Sequence, residues 1–496
     1  MLSKKNLKSK IFAGALAFTL LVGNFGNKPL DNVSASGKSD INGKAPKYVF
    51  YFIGDGLGAA QRQAAEYYVQ ETTKNKDFKL NINNLPSVGI NTTHSLNSLV
   101  TDSAAAGTAL ATGNKTNNGV IAKTPDGKDV TTLIEEAERN GKATGIVTTT
   151  RLTHATPASF ASHNISRNNE NEIALDYLDS GVDFFAGGGA RHFLPQGWVD
   201  AMPSIGKSKR TDDRNLLSEF DDQGYKVFYG AEQSDSFRNY KPSEQEKVFA
   251  AFTGSHMPYE IDRMQNNNVP SLAEITDKAI ETLSKDEDGF FLMVEGGRID
   301  HAGHANDLTG VIHDVVAFDK AVKEAIDFYQ EHKDETLIVV VGDHETGGMG
   351  LGFGKNYFLK LDQLKDVKVS VEDTLQNVYN GNREEYIKYI QDNFGLKDLT
   401  QEELKELNKA MDIVDKGQKD EKTYGSYNPV AIATTHILSK RANAYWTTFA
   451  HSATQIPMSA IGVNAQAFEG FKDNTEIAKT MAEIMDFKLT EIKKAK

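Results

Sequence analysis

The segment Glu295-Gly-Gly-Arg-Ile-Asp300-His301-Ala-Gly-His304 concentrates carboxylates and imidazoles within ten residues, spaced by glycine. Groups packed so closely at a strand end repel or desolvate one another unless something cationic sits between them. A divalent metal resolves that conflict. Asp300 and His304 stand at i and i+4 on one face of a helical turn, where both could reach one Zn²⁺ at about 2.0–2.2 Å. Asp343-His344, after the apolar run Leu337 to Val341, supplies a second adjacent carboxylate and imidazole. Asp55, in Gly54-Asp-Gly-Leu-Gly58, is a third acid at a strand end, and a plain turn between glycines is the alternative reading for it. Solvated loop charge is the alternative for the other two groups. Ser103, in Thr101-Asp-Ser-Ala-Ala-Ala-Gly107, reads either as a helix N-cap or as a hydroxyl facing an anion at a helix N-terminus. His451, amid small residues, is unremarkable alone, and His163 has no assigned role. His94, His192, His256, His313, His332 and His436 lack ligand-rich neighbours and read as surface or core residues.

The elements that must position these groups follow a repeating rhythm. Tyr48 to Ile53 is an apolar run of the kind that forms a buried strand, and it ends at the glycines around Asp55. Val130, Leu133, Ile134 and Ala137 keep helical spacing up to Asn140-Gly141, a C-cap signal, and Gly145 to Thr150 reads as the next strand. Phe290 to Val294 is another strand. Val311, Val315, Phe318, Val322 and Ile326 form one helical stripe, and Leu337 to Val341 returns to strand. Such alternation predicts an α/β fold, a large, mostly parallel sheet covered by helices on both faces, with the site beyond the carboxyl ends of the strands. Residues from about 355 to 445 break the rhythm. They are charged and partly helical, and read as a surface insertion between two core strands, a lid or an interface.

Composition narrows the chemistry further. The chain has 496 residues, 39% hydrophobic and 25% charged, which excludes disordered, collagenous and multispan membrane classes. It has no Cys, so thiolate metal sites, iron–sulfur clusters, disulfides and Cys nucleophiles are out, and any metal must be held by O and N. Lys4, Lys5, Lys8 and Lys10 precede an apolar run from Ile11 to Val22, and Val33-Ser-Ala35 offers small residues for cleavage, so residues 1–35 read as a signal peptide and the protein as secreted or held in the cell envelope. Formal charge is −13 overall and −17 once the five Lys and one Asp of residues 1–35 are removed. That field repels polyanions, so no specific nucleic-acid binding is expected, nor any stable membrane span after cleavage.

Taken together, GDG, DSAAAGTA, THATPASFASHNISR, VEGGRIDHAGH, GDHETGG and the late His451 resemble the alkaline phosphatase family from about residue 47 to about 485. The resemblance implies a catalytic domain over 47–496 after a linker at 36–46, and a phosphomonoesterase working through a phosphoserine intermediate, with phosphate monoesters as substrates and a homodimer as the assembly. It implies Ser103 as nucleophile and Arg167 as phosphate clamp. One zinc site maps to Asp300, His304 and His451, the other to Asp55, Asp343 and His344. A third site, usually Mg²⁺, maps to Asp55, Thr156 and Glu295. Some relatives carry Asp and Lys where this chain has His154 and His301, and imidazoles there favour Zn²⁺ or Co²⁺ as the third metal. The calcium site of animal members is not expected, because Phe252-Thr253 lacks their Glu. Ser103 is followed by three Ala rather than a sulfatase x-P-x-R motif, a phosphodiesterase would usually carry Thr, and a binding protein would not need Ser103.

Overall fold

The computed structural model describes residue 41, residues 43–198 and residues 202–490. The segment 1–35 read as a signal peptide lies outside these residues, as does part of the linker 36–46. Ten strands form one sheet: β1 (Tyr48–Gly54), β2 (Ser87–Asn91), β3 (Ala143–Arg151), β4 (Phe184–Gly188), β5 (Tyr225–Tyr229), β6 (Lys247–Ala251), β7 (Phe290–Gly296), β8 (Thr336–Gly342), β11 (Ile456–Gly462) and β12 (Gly470–Lys472). Between β8 and β11 in sequence, β9 (Glu345–Thr346) and β10 (His451–Ser452) pair as a separate two-stranded ladder. The order is β12-β2-β11-β8-β1-β7-β3-β4-β6-β5, and β11 alone runs antiparallel to its neighbours.

Apolar runs become strands here because both sheet faces are covered. Along β1, Tyr48, Phe50 and Phe52 point into one core cluster, while Val49, Tyr51 and Ile53 point into the other. The strand β8 divides in the same way, Ile338 and Val340 to one face and Leu337, Val339 and Val341 to the other. The helix Leu308–Glu331 lays Val311, Val315, Phe318 and Val322 onto the first face. The helix Ser103–Thr112 lies on the second, with Ala104, Leu110 and Ala111 buried. The expected helix near 130 begins only at Leu133, because Thr132 and Glu135 form a reciprocal capping box that leaves Val130 outside.

The segment 355–445 contains the helices Arg383–Asn393, Gln401–Asp415, Glu421–Tyr424 and Pro429–Ala442 and no sheet strand among its described residues. Its residues Leu361, Leu364, Val371, Leu375, Tyr386 and Ile390 are buried in a cluster continuous with the core on one face of the sheet. Its base is closed by the β9–β10 pair, which sets His451 opposite Thr346 and Ser452 opposite Glu345.

Candidate active site

Gly54 of β1 is in register with Gly296 of β7 and with Gly342 of β8, so three neighbouring strands end at one level. Each delivers an acid there: Asp55 after β1, Glu295 one residue before the end of β7, and Asp343 with His344 after β8. This is the carboxyl edge of the parallel strands, where the sequence placed the site. Gly56, at φ 73°, is required by proximity as well as by its backbone, since a Cβ there would meet the Asp300 Cα at 2.8 Å. The close approach brings the helix Arg298–His304 against Asp55.

Among the described residues, three groups of potential metal ligands result, each with its ligand atoms within 4.8 Å of one another: Asp300, His304 and His451; Asp55, Asp343 and His344; and Asp55, His154 and Glu295. In the first, Nδ1 of His304 donates to the Phe449 carbonyl at 2.7 Å and Nδ1 of His451 to the Thr101 carbonyl at 2.8 Å. When neutral, as a metal ligand must be, rings so anchored turn both Nε2 lone pairs to the same place, so an ion bound there would take the position of a proton. Those two nitrogens lie 3.1 Å apart, and each is 3.4 Å from Asp300 Oδ1. Three acceptors thus converge on one point. Burial would lower the His304 pKa, but the Asp300 carboxylate outweighs it and pushes His304 up to about 9. Burial opposes ionisation of Asp300 as well, and there the charge of His304 and the hydrogen bonds of both imidazoles win and hold it well below the usual range.

In the second group His344 Nε2 is 3.3 Å from Asp55 Oδ1 and 3.3 Å from Asp343 Oδ2, with all three side chains fully buried. Burial first, and then mutual repulsion with neighbouring carboxylates, raises both Asp55 and Asp343 well above the ordinary carboxyl value. Asp55 Oδ1, Asp343 Oδ2 and Glu295 Oε1 are buried carboxylate oxygens with no hydrogen-bond partner. Orphaned acceptors of this kind are costly unless a cation completes them. The donor set therefore fits divalent metals.

The third group differs from the expected oxygen-only set. Glu295, pushed up to about 7 by burial against the hydrogen bonds of Thr148 and Thr150, faces Asp55, and Thr156 Oγ1 lies 3.5 Å from Asp55 Oδ2. His154 stands beside them, with its Nε2 turned to Arg167. It stands 5.5 Å, ring centre to ring centre, from His301 and 5.6 Å from His256. His256 is 4.3 Å from His301, so the sequence-based view of it as an isolated histidine is corrected: folding brings it from a distant loop into this cluster.

Ser103 is the first helical residue, not the cap. The cap is Asp102, whose Oδ1 accepts the Ala105 N–H at 3.0 Å. Ser103 Oγ lies 3.3 Å from His344 Nε2, next to the second group. The other oxygen of Asp102 accepts from Arg167 Nη1 at 3.1 Å and from the Gly119 N–H at 3.0 Å, while Arg167 Nη2 donates to His154 Nε2 at 3.0 Å. One residue therefore caps the serine's helix and orients the guanidinium beside it.

Several supporting residues escaped the sequence reading. Thr346 donates to Asp300 and lies 3.3 Å from His344 Nδ1, bridging two groups. Glu345 accepts from Gln61 at 2.7 Å and from the Met349 and Gly348 N–H groups, and takes the Ser452 hydroxyl, which locks the strand carrying His451. Both lie within two residues of His344 in sequence, and that proximity was the signal available.

The family model described as alkaline phosphatase matches residues 46–487. The chain is 34% identical to alkaline phosphatase 3 of Bacillus subtilis over 491 residues, 98% of this chain and 99% of that protein. Its fold superposes on the crystal structure of Thermus thermophilus alkaline phosphatase with a TM-score of 0.77 at 31% identity, over 90% of this chain and 92% of that one. It also matches, at a TM-score of 0.61 and 28% identity over 90% of this chain and 99% of the other, a histidine-to-glutamate mutant of TAB5 alkaline phosphatase with Mg bound in its M3 site. A buried carboxylate–imidazole centre at the sheet edge, a serine at a helix start beside it and these full-length likenesses converge: the chain belongs to the alkaline phosphatase family.

Proposed function

We propose that Ser103 is the nucleophile of phosphate-monoester hydrolysis, that Arg167 grips the phosphate, and that the three ligand groups hold metal ions. The observation carrying this reading is the position of Ser103 Oγ, 3.3 Å from His344 Nε2 and at the start of a helix whose N–H groups favour an anion. Members of this family hydrolyse phosphate monoesters and depend on metal, so the assignment concerns which residues do so here. Asp300, His304 and His451, and separately Asp55, Asp343 and His344, offer the mixed nitrogen and oxygen donors that suit Zn²⁺. Bound there, Zn²⁺ would supply Lewis-acid stabilisation of the entering and leaving oxygens. Asp55, Glu295 and Thr156 would hold the third ion, and the imidazoles of His154 and His301 beside them favour Zn²⁺ or Co²⁺ over Mg²⁺. Magnesium in the M3 site of a TAB5 enzyme whose histidine has become glutamate supports that preference.

The chain's own groups perform the rest. Asp102 and His154 engage two of the five N–H donors of Arg167 and fix the plane of the fork, leaving other donors for phosphate oxygens. Ser103 Oγ gives up its proton to water and forms the new bond to phosphorus as the ester P–O bond breaks, and the departing alkoxide takes a proton from water in exchange, so the step is proton-neutral. Water then cleaves the phosphoserine, restoring the hydroxyl and releasing inorganic phosphate. The Ser103→Ala variant should lose covalent labelling by a phosphate-monoester substrate in a rapid acid quench, and turnover should fall at least about 10³-fold, with bound metal unchanged. Labelling that persists in the variant would remove Ser103 from this role.

Residues 47–496 form the catalytic domain in this reading, with 36–46 as its linker and 1–35 as an export signal that makes the protein secreted or envelope-held. No described helix is long and apolar enough to cross a membrane. Exposed Val88 and Ile90 on β2 and Phe471 on β12, with Ile90 and Phe471 in register, support a homodimer through that sheet flank.

A further inference from the structure

Arg298, the first residue of the helix that carries Asp300, reaches from that helix to the inserted segment 355–445. Its side chain is only 2% exposed. Nη2 donates to Asp373 Oδ1 at 2.7 Å, Nη1 is 3.7 Å from Glu372 Oε2, and the guanidinium carbon lies 3.6 Å from the centre of the Tyr259 ring. Tyr259 in turn gives its hydroxyl to Glu372 and its backbone N–H, at 3.4 Å, to Asp373 Oδ2. The remaining contact points toward the site: Nη1 donates to His301 Nδ1 at 3.0 Å.

Guanidinium is donor-only. The His301 nitrogen that faces it must therefore present a lone pair, which places the ring N–H on Nε2. His301 is partly exposed and follows Asp300 directly. Its ring lies 4.3 Å from His256 and 5.5 Å from His154, the residue that receives Arg167. A buried cation is a poor device for mere attachment, since apolar side chains of similar volume join two segments at least as well. What the guanidinium adds is direction. Asp373 and Glu372 on one side and the Tyr259 ring beneath leave its fork a single orientation, and His301 lies at the end of it.

We propose that Arg298 is a positioning residue through which Glu372 and Asp373 of the inserted segment fix the His301 ring as its Nε2–H tautomer at the edge of the phosphate site. The consequence for His301 rests on the active-site reading above, whereas the tautomer itself is observable without turnover. The metal-loaded full chain, ¹⁵N-labelled at histidine, would be compared as wild type, Asp373→Asn, Asp373→Glu and Arg298→Met by multiple-bond ¹H–¹⁵N spectra, with His301→Gln identifying the signal. The wild type should show a bare Nδ1 and a protonated Nε2 at His301. Asp373→Asn and Arg298→Met should lose that single form and lower kcat about tenfold, with KM and bound metal unchanged, and Asp373→Glu should restore both. Asp373 is a partly exposed residue, so its variants keep the test open should Arg298→Met fold poorly. A wild-type tautomer retained in both Asp373→Asn and Arg298→Met would overturn the proposal. A change in Arg298→Met alone would overturn the part assigned to the inserted segment.

Discussion

Asp300 receives hydrogen bonds or ion pairs from residues far apart in the chain: His304 on its own helix turn, His451 across the inserted segment and Thr346 after β8. Thr346 touches no substrate in this scheme, yet its hydroxyl holds the carboxylate of one ligand group and lies beside the imidazole of another. Thr346→Val keeps the shape and removes the hydrogen bond. Metal affinity should fall about 10- to 100-fold, as for other partners behind a metal ligand, with the melting temperature of the metal-saturated enzyme little changed. Competition against a chromophoric chelator would measure it. At this scale the sequence was informative wherever chemistry and adjacency coincided, as in Asp300 and His304 or Asp343 and His344. It was silent on His256, whose place beside His154 and His301 comes from a loop with no distinguishing pattern. Nor did it reveal that Asp102 rather than Ser103 caps the helix, because either residue type suits that position.

Strand ends set the site, and these were the legible elements. The runs in β1, β7 and β8 are apolar throughout because helices cover both faces, so they stand out against any helical period. The short β4, with its Gly-Gly end, and β11, interrupted by Pro457 and Ser459, carry too few apolar residues to separate strand from loop. The two-residue strands β9 and β10 have no readable pattern at all, yet they determine where His451 stands. The helix Leu133–Arg139 shows how an element pays a local electrostatic cost. Burial pushes Glu138 up to about 7 from its ordinary 4.5, against the hydrogen bond from Thr144. A carboxyl that binds its proton more tightly when folded favours the native state below pH 4.5, and that contribution is lost as pH rises toward about 7. Glu138→Gln should therefore leave stability nearly unchanged at pH 5 and raise it by roughly 1–2 kcal/mol at pH 8, after discounting for partial exposure. Denaturant melts at the two pH values would show the difference, and an equal effect at both would contradict the burial argument.

For the whole molecule, the sequence indicated an α/β architecture with its chemistry along one sheet edge, and the ten-stranded sheet has that form. The inserted segment was the least legible part. Its charged helices read as surface, but their apolar faces join a cluster continuous with the core on one face of the sheet, a tertiary fact that no local pattern encodes. The flank formed by β2 and β12 leaves Val88, Ile90 and Phe471 exposed, a cluster that a partner subunit would cover. Light scattering should give twice the mass of one chain, and Ile90→Lys should shift the protein toward one chain while it remains folded. The claim beneath all of this is that folding gathers Asp55, Glu295, Asp300, His304, Asp343, His344 and His451 around divalent ions beside Ser103. Metal analysis by mass spectrometry on protein purified without added zinc tests it directly. The geometry predicts about three ions per chain, with zinc dominant, and the loss of about one in a folded His451→Ala variant. Metal-free protein that is nevertheless fully active, or an unchanged metal count in that variant, would contradict it.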